Sequence, residues 1–273
     1  MLALEQSTES IGNNRRMGMK RLSLLVALAA ALALIASACG GDESGEYGLV
    51  TEGTLTVCSE IPYEPFEFEA DGQYTGFDVD MMQAVADELG LEMQFVSTGF
   101  TAITSGGAMA ASQCDIAASA ITIRPDREEN VDFSDPYFDA DQSLLVKADS
   151  GYAGLDDLVG MDLGVQSGTT GEEYAQNNAP SGVTLRSYDN GGDLFLALEA
   201  GAISGILQDL PVNGYRSTKD DSVTVVATYT TGEQYGFAVQ EEGKEALLDA
   251  VNEALATLHD NGKYDEIHAK WFG

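Results

Sequence analysis

Apolar runs of strand length alternate with amphipathic stretches of helical length along most of this 273-residue chain. In the helical stretches apolar residues recur three or four positions apart, as Val79, Met82 and Ala86 do before Gly90 ends their stripe. The strand-length runs lie at residues 55–58, 92–96, 116–120, 144–146, 161–165, 184–188, 203–207, 223–226 and 235–239. Strands that alternate with helices form mainly parallel sheets. The pattern therefore predicts an α/β protein whose ligand lies beyond the carboxyl ends of the strands.

Two chain crossings divide the predicted elements into two lobes. The polar, glycine-containing stretch 147–154 marks the entry into a second set of strands and helices, and a later strand returns to the first set. We predict that residues 48–142 and 232–273 form the first lobe and residues 143–231 the second. Two connections between the same lobes, near residues 139–145 and 230–235, are typical of a hinge.

The first 38 residues have the pattern of a targeting segment, which we interpret as an upstream extension and a signal peptide. Residues 22–35 form an apolar run too short to span a bilayer comfortably, preceded by Lys20 and Arg21 and followed by small residues. Cys39 comes next and resembles the lipid-modified cysteine of a lipobox, although an ordinary secretory signal would also fit. Residues 39–47 are then a lipidated, flexible tether, and the lipid anchors the protein to the outer face of the cell membrane.

The same segment bears on the translation start and on the charge. Residues 1–16 precede any targeting pattern, so a start at Met17 or Met19 fits a signal peptide better than a start at Met1. The full chain has a formal net charge of −32, and removal of residues 1–38 leaves 9 basic and 43 acidic residues, a net charge of −34. Such a surface repels nucleic acid and anionic lipid, which excludes a nucleic-acid-binding protein.

Cys58 and Cys114 remain besides Cys39, and the sequence leaves their pairing open. An even number of cysteines in an oxidising compartment favours a disulfide. Strand register argues against one. If residues 54–59 and 115–120 are neighbouring parallel strands, the two cysteines lie near opposite strand ends, farther apart than the roughly 7 Å between Cα atoms that a disulfide allows. No CxxC motif and no cluster of cysteine with histidine occurs in the sequence, so we predict no metal site and no cofactor.

The stretch 114–146 carries the most specific chemical pattern. A strand-like run is followed by Pro125, placed where the first turn of a helix would accept it. Backbone N–H groups at such a junction, together with the fixed cation Arg127, form a site for an anionic group such as a carboxylate. The alternative is that Arg127 is an exposed arginine at a helix start. Arg124 would occupy the N-cap of that helix, where threonine would satisfy a helix N–H better.

Strand ends in the second lobe carry further polar groups. The turn SGTT at residues 167–170 opens a helix after a strand, as phosphate-binding loops do, but it lacks the lysine of GxxxxGK. Asp209 is an acid at the end of another strand, where it could cap the helix that begins at Leu210. We expect His259 and His268, in the last helical segment, to be surface residues. The sequence contains no GxSxG and no HExxH motif.

Several motifs occur in an order typical of one family. TVCSEIPYEPFEFE at residues 56–69 resembles a first strand and its aromatic loop, TGFDVDMMQAVADELG at 75–90 a first helix, GVQSGTTGEEYA at 164–175 a loop of the second domain, and GKYDEIHAKWFG at 262–273 the ending. With the stretch 114–146, they make the chain similar to the family 3 solute-binding proteins, the extracytoplasmic receptors of polar amino-acid ABC transporters. The resemblance implies a two-lobed fold of the type II periplasmic-binding-protein kind, with a central sheet flanked by helices in each lobe.

The resemblance also implies which residues bind the ligand. Arg127, Thr122 and Thr170, with N–H groups near Ala120 and Thr169, would hold the α-carboxylate, and Asp209 would hold the α-ammonium. Glu60, Tyr63, Phe100 and Gln166 would surround the side chain. From the residues alone, Tyr63 fits an aromatic core position as well as a ligand contact. Glu60 favours a polar or cationic ligand, and which amino acid is bound stays open.

The implied function is binding of a polar amino acid by a monomer that delivers it to a membrane permease. The alternative is an enzyme on the same scaffold, because a few relatives of the fold have become dehydratases through an acid or base in the cleft. Glu60 is the candidate for such a group. A sensory ectodomain would be expected to carry a transmembrane helix and a signalling module after its last helix, and the sequence contains neither pattern.

Overall fold

The computed structural model describes residue 45 and residues 47–273. The predicted signal peptide, the lipidation site at Cys39 and residues 40–44 lie outside the described residues. The strands are β1 Thr54–Ser59, β2 Phe68–Ala70, β3 Gln73–Thr75, β4 Glu92–Ser97, β5 Ile116–Ala117, β6 Val131–Phe133, β7 Phe138–Lys147, β8 Asp162–Gln166, β9 Thr184–Tyr188, β10 Gly205–Asp209, β11 Val223–Tyr235 and β12 Ala238–Gln240. The helices are α1 Phe77–Glu88, α2 Phe100–Thr104, α3 Gly107–Ala110, α4 Thr170–Asn178, α5 Gly191–Ala200, α6 Leu210–Lys219, α7 Glu245–Asp260 and α8 Lys263–Phe272, with a 3₁₀ helix at Leu155–Leu158.

In the described part of the chain, the strands form two five-stranded sheets and one hairpin, β2–β3. The first sheet has the order β4–β1–β5–β12–β6, with β1 parallel to β4 and β5 and with β12 antiparallel to its neighbours. The second sheet has the order β11–β7–β10–β8–β9, with β8 parallel to β9 and β10. These two sheets with their flanking helices confirm the predicted two-lobed α/β fold.

The long strands β7 and β11 connect the two lobes. They pair antiparallel from Tyr235 opposite Phe138 to Glu233 opposite Ala140, and their register shifts before Tyr229 pairs with Gln142. The predicted crossings near residues 139–145 and 230–235 therefore lie on neighbouring strands. The predicted lobe boundaries, after residues 142 and 231, fall inside these strands and stay predictions.

Each lobe buries its own apolar core. In the first lobe α1 and α7 pack on the sheet through buried faces that include Met82, Val85, Val251 and Leu255. The start of α1 depends on Gly76, whose φ is +142° and whose missing Cβ would collide with the carbonyl oxygen of Phe66. In the second lobe the cores lie on both faces of the sheet. The cores hold rigid strands whose carboxyl ends carry the polar groups.

The stretch that follows β5 departs from the prediction. Residues 116–120 were predicted as one strand, but only Ile116 and Ala117 pair in the sheet, and Ala120 adopts a left-handed conformation with φ of +46°. No helix begins at Pro125. Residues 125–130 form consecutive turns instead, with the Arg124 carbonyl accepting hydrogen bonds from the N–H groups of Arg127 and Glu128. Arg124 is consequently not a helix N-cap, and a threonine there would have no helix to cap.

Cys58 and Cys114 form a disulfide, with their Cα atoms 5.6 Å apart. Strand register disfavoured a disulfide on the expectation that an extended strand runs from Asp115 to Ala120, with Cys114 at its lower end. In the structure β5 begins only at Ile116, which pairs with Val57, and Cys114 lies in the irregular stretch that precedes it, between bends at Gln113 and Asp115. Because the chain is not extended there, Cys114 does not lie at the far end of a strand, and the cysteine parity was the better guide.

Candidate functional site

One cavity between the lobes brings together all ten residues predicted to bind the ligand. In this conformation the two lobes nearly fill it, and the free volume that is left, about 10 Å³, is roughly what a single water molecule needs. Its lining residues are Glu60, Tyr63, Phe100, Ser119, Ala120, Thr122, Arg127, Gln166, Thr169, Thr170 and Asp209. Of these, only Ser119 was not predicted from the sequence. The convergence does not by itself test which of them bind a ligand, so their roles stay predictions.

The topology explains the convergence. In the first lobe, Glu60 and Tyr63 follow β1, Phe100 follows β4, and Ala120 and Thr122 follow β5. In the second lobe, Gln166 ends β8, Thr170 begins α4, and Asp209 ends β10. In each lobe these strands are parallel, so their carboxyl ends lie at one edge of the sheet. The two edges face each other across the cavity.

Arg127 is the buried cation of the cavity. The residue is 4% exposed, so it is not the exposed arginine of the alternative reading. One terminal nitrogen donates to the carbonyl oxygen of Thr122 at 2.8 Å and the other to that of Gly168 in the second lobe at 3.1 Å, while the guanidinium lies 5.1 Å from the ring centre of Phe100. Burial, with the nearby charge of Arg124, lowers the pKa of Arg127 to about 10, so it stays protonated at neutral pH.

Asp209 is the buried acid of the opposite wall. Although it precedes α6, its side chain makes no capping bond to that helix. Its carboxylate accepts hydrogen bonds from the Tyr63 hydroxyl at 2.9 Å, from the Tyr235 hydroxyl and from the Gln142 amide. Burial, with the charge of Glu233, raises the pKa of Asp209 to about 6, although the three donors favour its ionised form. The N-cap alternative is therefore not what the structure shows.

Two more carboxyl groups, Glu67 and Asp78, support the floor of the cavity from behind. The Ser119 hydroxyl donates to Glu67 at 2.7 Å and accepts from the N–H of Glu60 at 3.0 Å. Asp78 accepts the N–H of Ala120 at 2.9 Å and the Tyr137 hydroxyl. Burial raises the pKa of both acids, that of Asp78 to about 7. In this conformation the Ala120 N–H is therefore bonded to Asp78, and the predicted role of N–H groups near Ala120 in holding a carboxylate stays a prediction.

Direct bonds join the two lobes around the cavity. Besides Arg127 with the Gly168 carbonyl and Tyr63 with Asp209, the Gln166 amide donates to Glu60 at 2.6 Å. At the periphery, Arg124 forms an ion pair of 2.7 Å with Glu173 on α4. The lobes are also in close contact at the start of α5, where a Cβ on Gly191 would lie 2.9 Å from the Tyr63 ring. The described conformation is therefore closed.

Gln142, Glu233 and Tyr235 on the hinge strands were not predicted as part of this region. The Gln142 amide donates to Asp209, to Thr170 and to Glu233, which in turn accepts from the Thr122 hydroxyl at 3.1 Å. No local signal singled out Gln142, which stands between Asp141 and Ser143 ahead of the apolar residues 144–146 of β7. Its partners lie 28 to 91 residues away, so no local pattern could name them.

Two other features are absent from the described residues. Among residues 45 and 47–273, no group of three or more histidine, cysteine, aspartate or glutamate side chains has an arrangement that could hold a metal ion. Within the same residues, no helix is both long and apolar enough to cross a membrane. His259 and His268 lie on α7 and α8, outside the cavity, where their rings contact Tyr264, and His268 also contacts Phe272.

Comparison with known proteins yields consistent similarities. The model of a family described as bacterial extracellular solute-binding proteins, family 3, matches residues 55–273. The arginine-binding extracellular protein ArtP of Bacillus subtilis (strain 168) is 31% identical over 252 residues, which are 91% of this chain and 97% of that protein. The crystal structure of a mutant of ArgBP from T. maritima matches this structure with a TM-score of 0.76 and 32% sequence identity. The match covers 84% of this chain and 99% of the ArgBP chain. AncCDT-1, an ancestral amino acid-binding protein and precursor of cyclohexadienyl dehydratase, has a TM-score of 0.72 with 37% identity over 81% of this chain and 96% of its own.

Proposed function

The chain belongs to the bacterial extracellular solute-binding proteins of family 3, and from this we propose that it binds a polar amino acid between its lobes and delivers it to the permease of an ABC transporter. The observation that carries the proposal is the pairing of one buried cation and one buried acid on opposite walls of a closed cavity. Arg127 and Asp209 are complementary to the carboxylate and the ammonium group of a free amino acid, and burial of such a zwitterion demands that both charges be paired.

In this arrangement Arg127, Thr122 and Thr170 hold the α-carboxylate, with a backbone N–H at Thr169 near the start of α4. Asp209 holds the α-ammonium, and the Gln142 amide and the hydroxyls of Tyr63 and Tyr235 keep its carboxylate in place. The side chain of the ligand is surrounded by Glu60, Tyr63, Phe100 and Gln166. The ligand then replaces some of the direct bonds between the lobes with bonds to itself, and so both lobes contribute to its affinity.

A thermal-shift screen of the twenty amino acids tests the proposal. A ligand present at about 100 times its Kd adds about 2.7 kcal/mol to the free energy of unfolding. We expect at least one polar amino acid to raise the melting temperature by several degrees and the acidic amino acids to have no effect, because Glu60 and Asp209 already place two acids in the cavity. If no amino acid shifts the transition at millimolar concentration, the proposal is wrong.

We expect the ligand to favour the closed arrangement through the hinge in β7 and β11. Because the lobes are joined mainly by polar contacts, the closed and open forms should differ little in free energy without a ligand. Small-angle X-ray scattering of the saturated protein should give a smaller radius of gyration than scattering of the ligand-free protein. An unchanged radius at saturation, verified by the thermal shift in the same sample, would count against a two-lobe hinge.

We also propose that the mature protein is a monomer held at the outer face of the cell membrane by lipid on Cys39. One diacyl group provides two chains, which is enough for stable anchoring, whereas the acidic surface provides no attraction to anionic lipid. In detergent phase partitioning, the wild type should enter the detergent phase and Cys39→Ala the aqueous phase. Partitioning of both forms into the aqueous phase would show that the signal is an ordinary secretory one.

A second candidate function has one observation in its favour. Burial raises the pKa of the Glu60 carboxyl to about 7, so this group could donate or accept a proton inside the cavity near neutral pH. An amino acid-dehydrating enzyme would need such a group. Incubating the protein with its best ligand and following the ligand by mass spectrometry separates the two functions, since a binding protein returns the amino acid unchanged.

A further inference from the structure

Glu60 lies in the wall between the enclosed cavity and a wider groove at the mouth of the cleft. It lines both spaces, and the groove has a volume of about 710 Å³. The residue is 6% exposed. Its Oε2 accepts a hydrogen bond of 2.6 Å from the Gln166 amide, and in the described part of the chain its Oε1 accepts none. Glu60 is therefore a buried carboxyl group with a single neutral partner.

The charges around Glu60 do not neutralise it. The titratable and charged groups that face it are Tyr63 and Glu64 on its own loop, Glu67 behind Ser119, Asp189, Asp193, Glu199, Tyr215 and Arg216 along the groove, and Asp209 and Arg127 across the cavity. Arg216 forms its own ion pair of 3.0 Å with Asp220. Of the described residues that line the cavity, only Arg127 is a cation, and the proposed function assigns it to the ligand carboxylate. Because a buried charge is stable only when it is paired, ionised Glu60 needs a cation that the surrounding residues do not supply.

We propose that the proton on Glu60 selects the charge of the ligand side chain. Protonated Glu60 donates a hydrogen bond to a neutral polar side chain, such as a carboxamide or ureido group, and ionised Glu60 accepts hydrogen bonds from a cationic one, such as a guanidinium group. This inference rests on the proposed function, because it takes the cavity to bind an amino acid. It narrows the ligands to amino acids with a long polar side chain, neutral or cationic, and excludes acidic ones.

The ionisation of Glu60 supports both states near neutral pH. Burial raises its pKa from 4.5 to about 7, and the Gln166 hydrogen bond opposes this rise only in part. Protein molecules in which Glu60 is protonated must then release that proton to solvent when they bind a cationic ligand. Molecules in which Glu60 is ionised must take up a proton when they bind a neutral ligand. The two kinds of ligand should therefore bind with opposite changes in bound protons.

L-arginine and L-citrulline are the probes, because they match in length and shape and differ in side-chain charge. Calorimetric titrations at pH 7 in two buffers of different ionisation enthalpy give the number of protons exchanged on binding. With a pKa of about 7 for Glu60, we expect arginine to release about half a proton and citrulline to take up about half a proton. Asp209, with a pKa of about 6, adds the same small proton release to the binding of both ligands. The difference in proton count between arginine and citrulline therefore comes from Glu60.

The pH dependence of the two affinities is the second readout. Below the Glu60 pKa, the affinity for arginine should fall with each unit of acidification, whereas the affinity for citrulline should not fall. The ratio of the two dissociation constants should therefore change by up to about 300-fold between pH 5.5 and 8. Glu60→Gln should make the ratio independent of pH. Glu69→Gln, the same chemical change at an exposed position of β2 that lines neither the cavity nor the groove, should keep the wild-type ratio.

The outcomes are distinct. Equal proton counts for the two ligands, a ratio that stays flat with pH in the wild type, or failure of citrulline to bind at pH 5.5 while arginine binds at pH 8 would each overturn the inference. If neither these two nor any other amino acid binds, the proposed function itself is wrong. The proton counts are measured on the wild-type protein, so the test stands even if Glu60→Gln does not fold.

Discussion

Asp209→Asn is expected to weaken binding of every amino acid by roughly two to more than three orders of magnitude. In the proposed binding mode, closure buries the ligand ammonium against this carboxylate, and removal of one partner of a buried ion pair costs about 3 to 5 kcal/mol. Asparagine has the same shape, so the cavity should keep its form. Isothermal titration with the amino acid that gives the largest thermal shift measures the loss.

The matched control is Asp221→Asn, the same chemical change at an exposed position after α6. It should leave the affinity unchanged. The melting temperature of Asp209→Asn without ligand should be close to that of the wild type or above it, because the carboxylate is desolvated at a cost that its raised pKa of about 6 reflects. Binding by Asp209→Asn within threefold of the wild type would mean that the ammonium group lies elsewhere.

Arg127→Lys is expected to weaken binding by about tenfold to more than a hundredfold. The planar guanidinium can present two parallel N–H groups to a carboxylate, and an ammonium group on a flexible stem cannot reproduce that geometry. A hydrogen bond of this charged kind contributes about 1.5 to 3 kcal/mol. Calorimetry with the same ligand gives the loss, and the methyl ester of that ligand should bind the wild type and the variant with similar, low affinity.

Arg124→Thr provides the comparison, because Arg124 is close in sequence but differs in environment. In the structure its guanidinium pairs with Asp126 and, across the lobes, with Glu173, and its side chain is 23% exposed. An exposed ion pair is worth about 0.2 to 1 kcal/mol, so the variant should lose no more than about fivefold in affinity. Since no helix follows Pro125, we no longer expect threonine to stabilise the fold as a cap. Loss of binding in Arg124→Thr with none in Arg127→Lys would show that the carboxylate site is misassigned.

Much of the candidate site was predictable because parallel strands place their carboxyl ends at one edge of a sheet. Glu60, Phe100, Ala120, Gln166 and Asp209 each follow or end a strand that the apolar pattern located to within a few residues. Once the order of strands and helices is known, the side chains at those ends must lie together. The family resemblance then assigned roles that the strand pattern alone does not distinguish.

The predictions failed where the backbone leaves regular structure. The residues after Ala117 leave the sheet because Asp78 and Glu67, about 40 and 50 residues earlier in the chain, hold Ala120 and Ser119 by hydrogen bonds. The expected helix after Pro125 is replaced by turns that bring the Arg127 guanidinium back to the Thr122 carbonyl. An apolar pattern reports which positions are buried, and it carries no information on such polar contacts.

The sequence by itself determined the alternation of strands and helices, the two crossings between the lobes, the family and the residues that converge on the cavity. These properties follow from local periodicity and from motifs in a fixed order. The tertiary structure alone decided the Cys58–Cys114 disulfide and the contacts of Gln142 and Glu233 on the hinge strands. It also decided that the buried Glu60 carboxyl has Gln166, a neutral side chain, as its hydrogen-bond partner. Each of these depends on distances between segments far apart in the chain, and the ionisation of a buried acid depends on every charge around it.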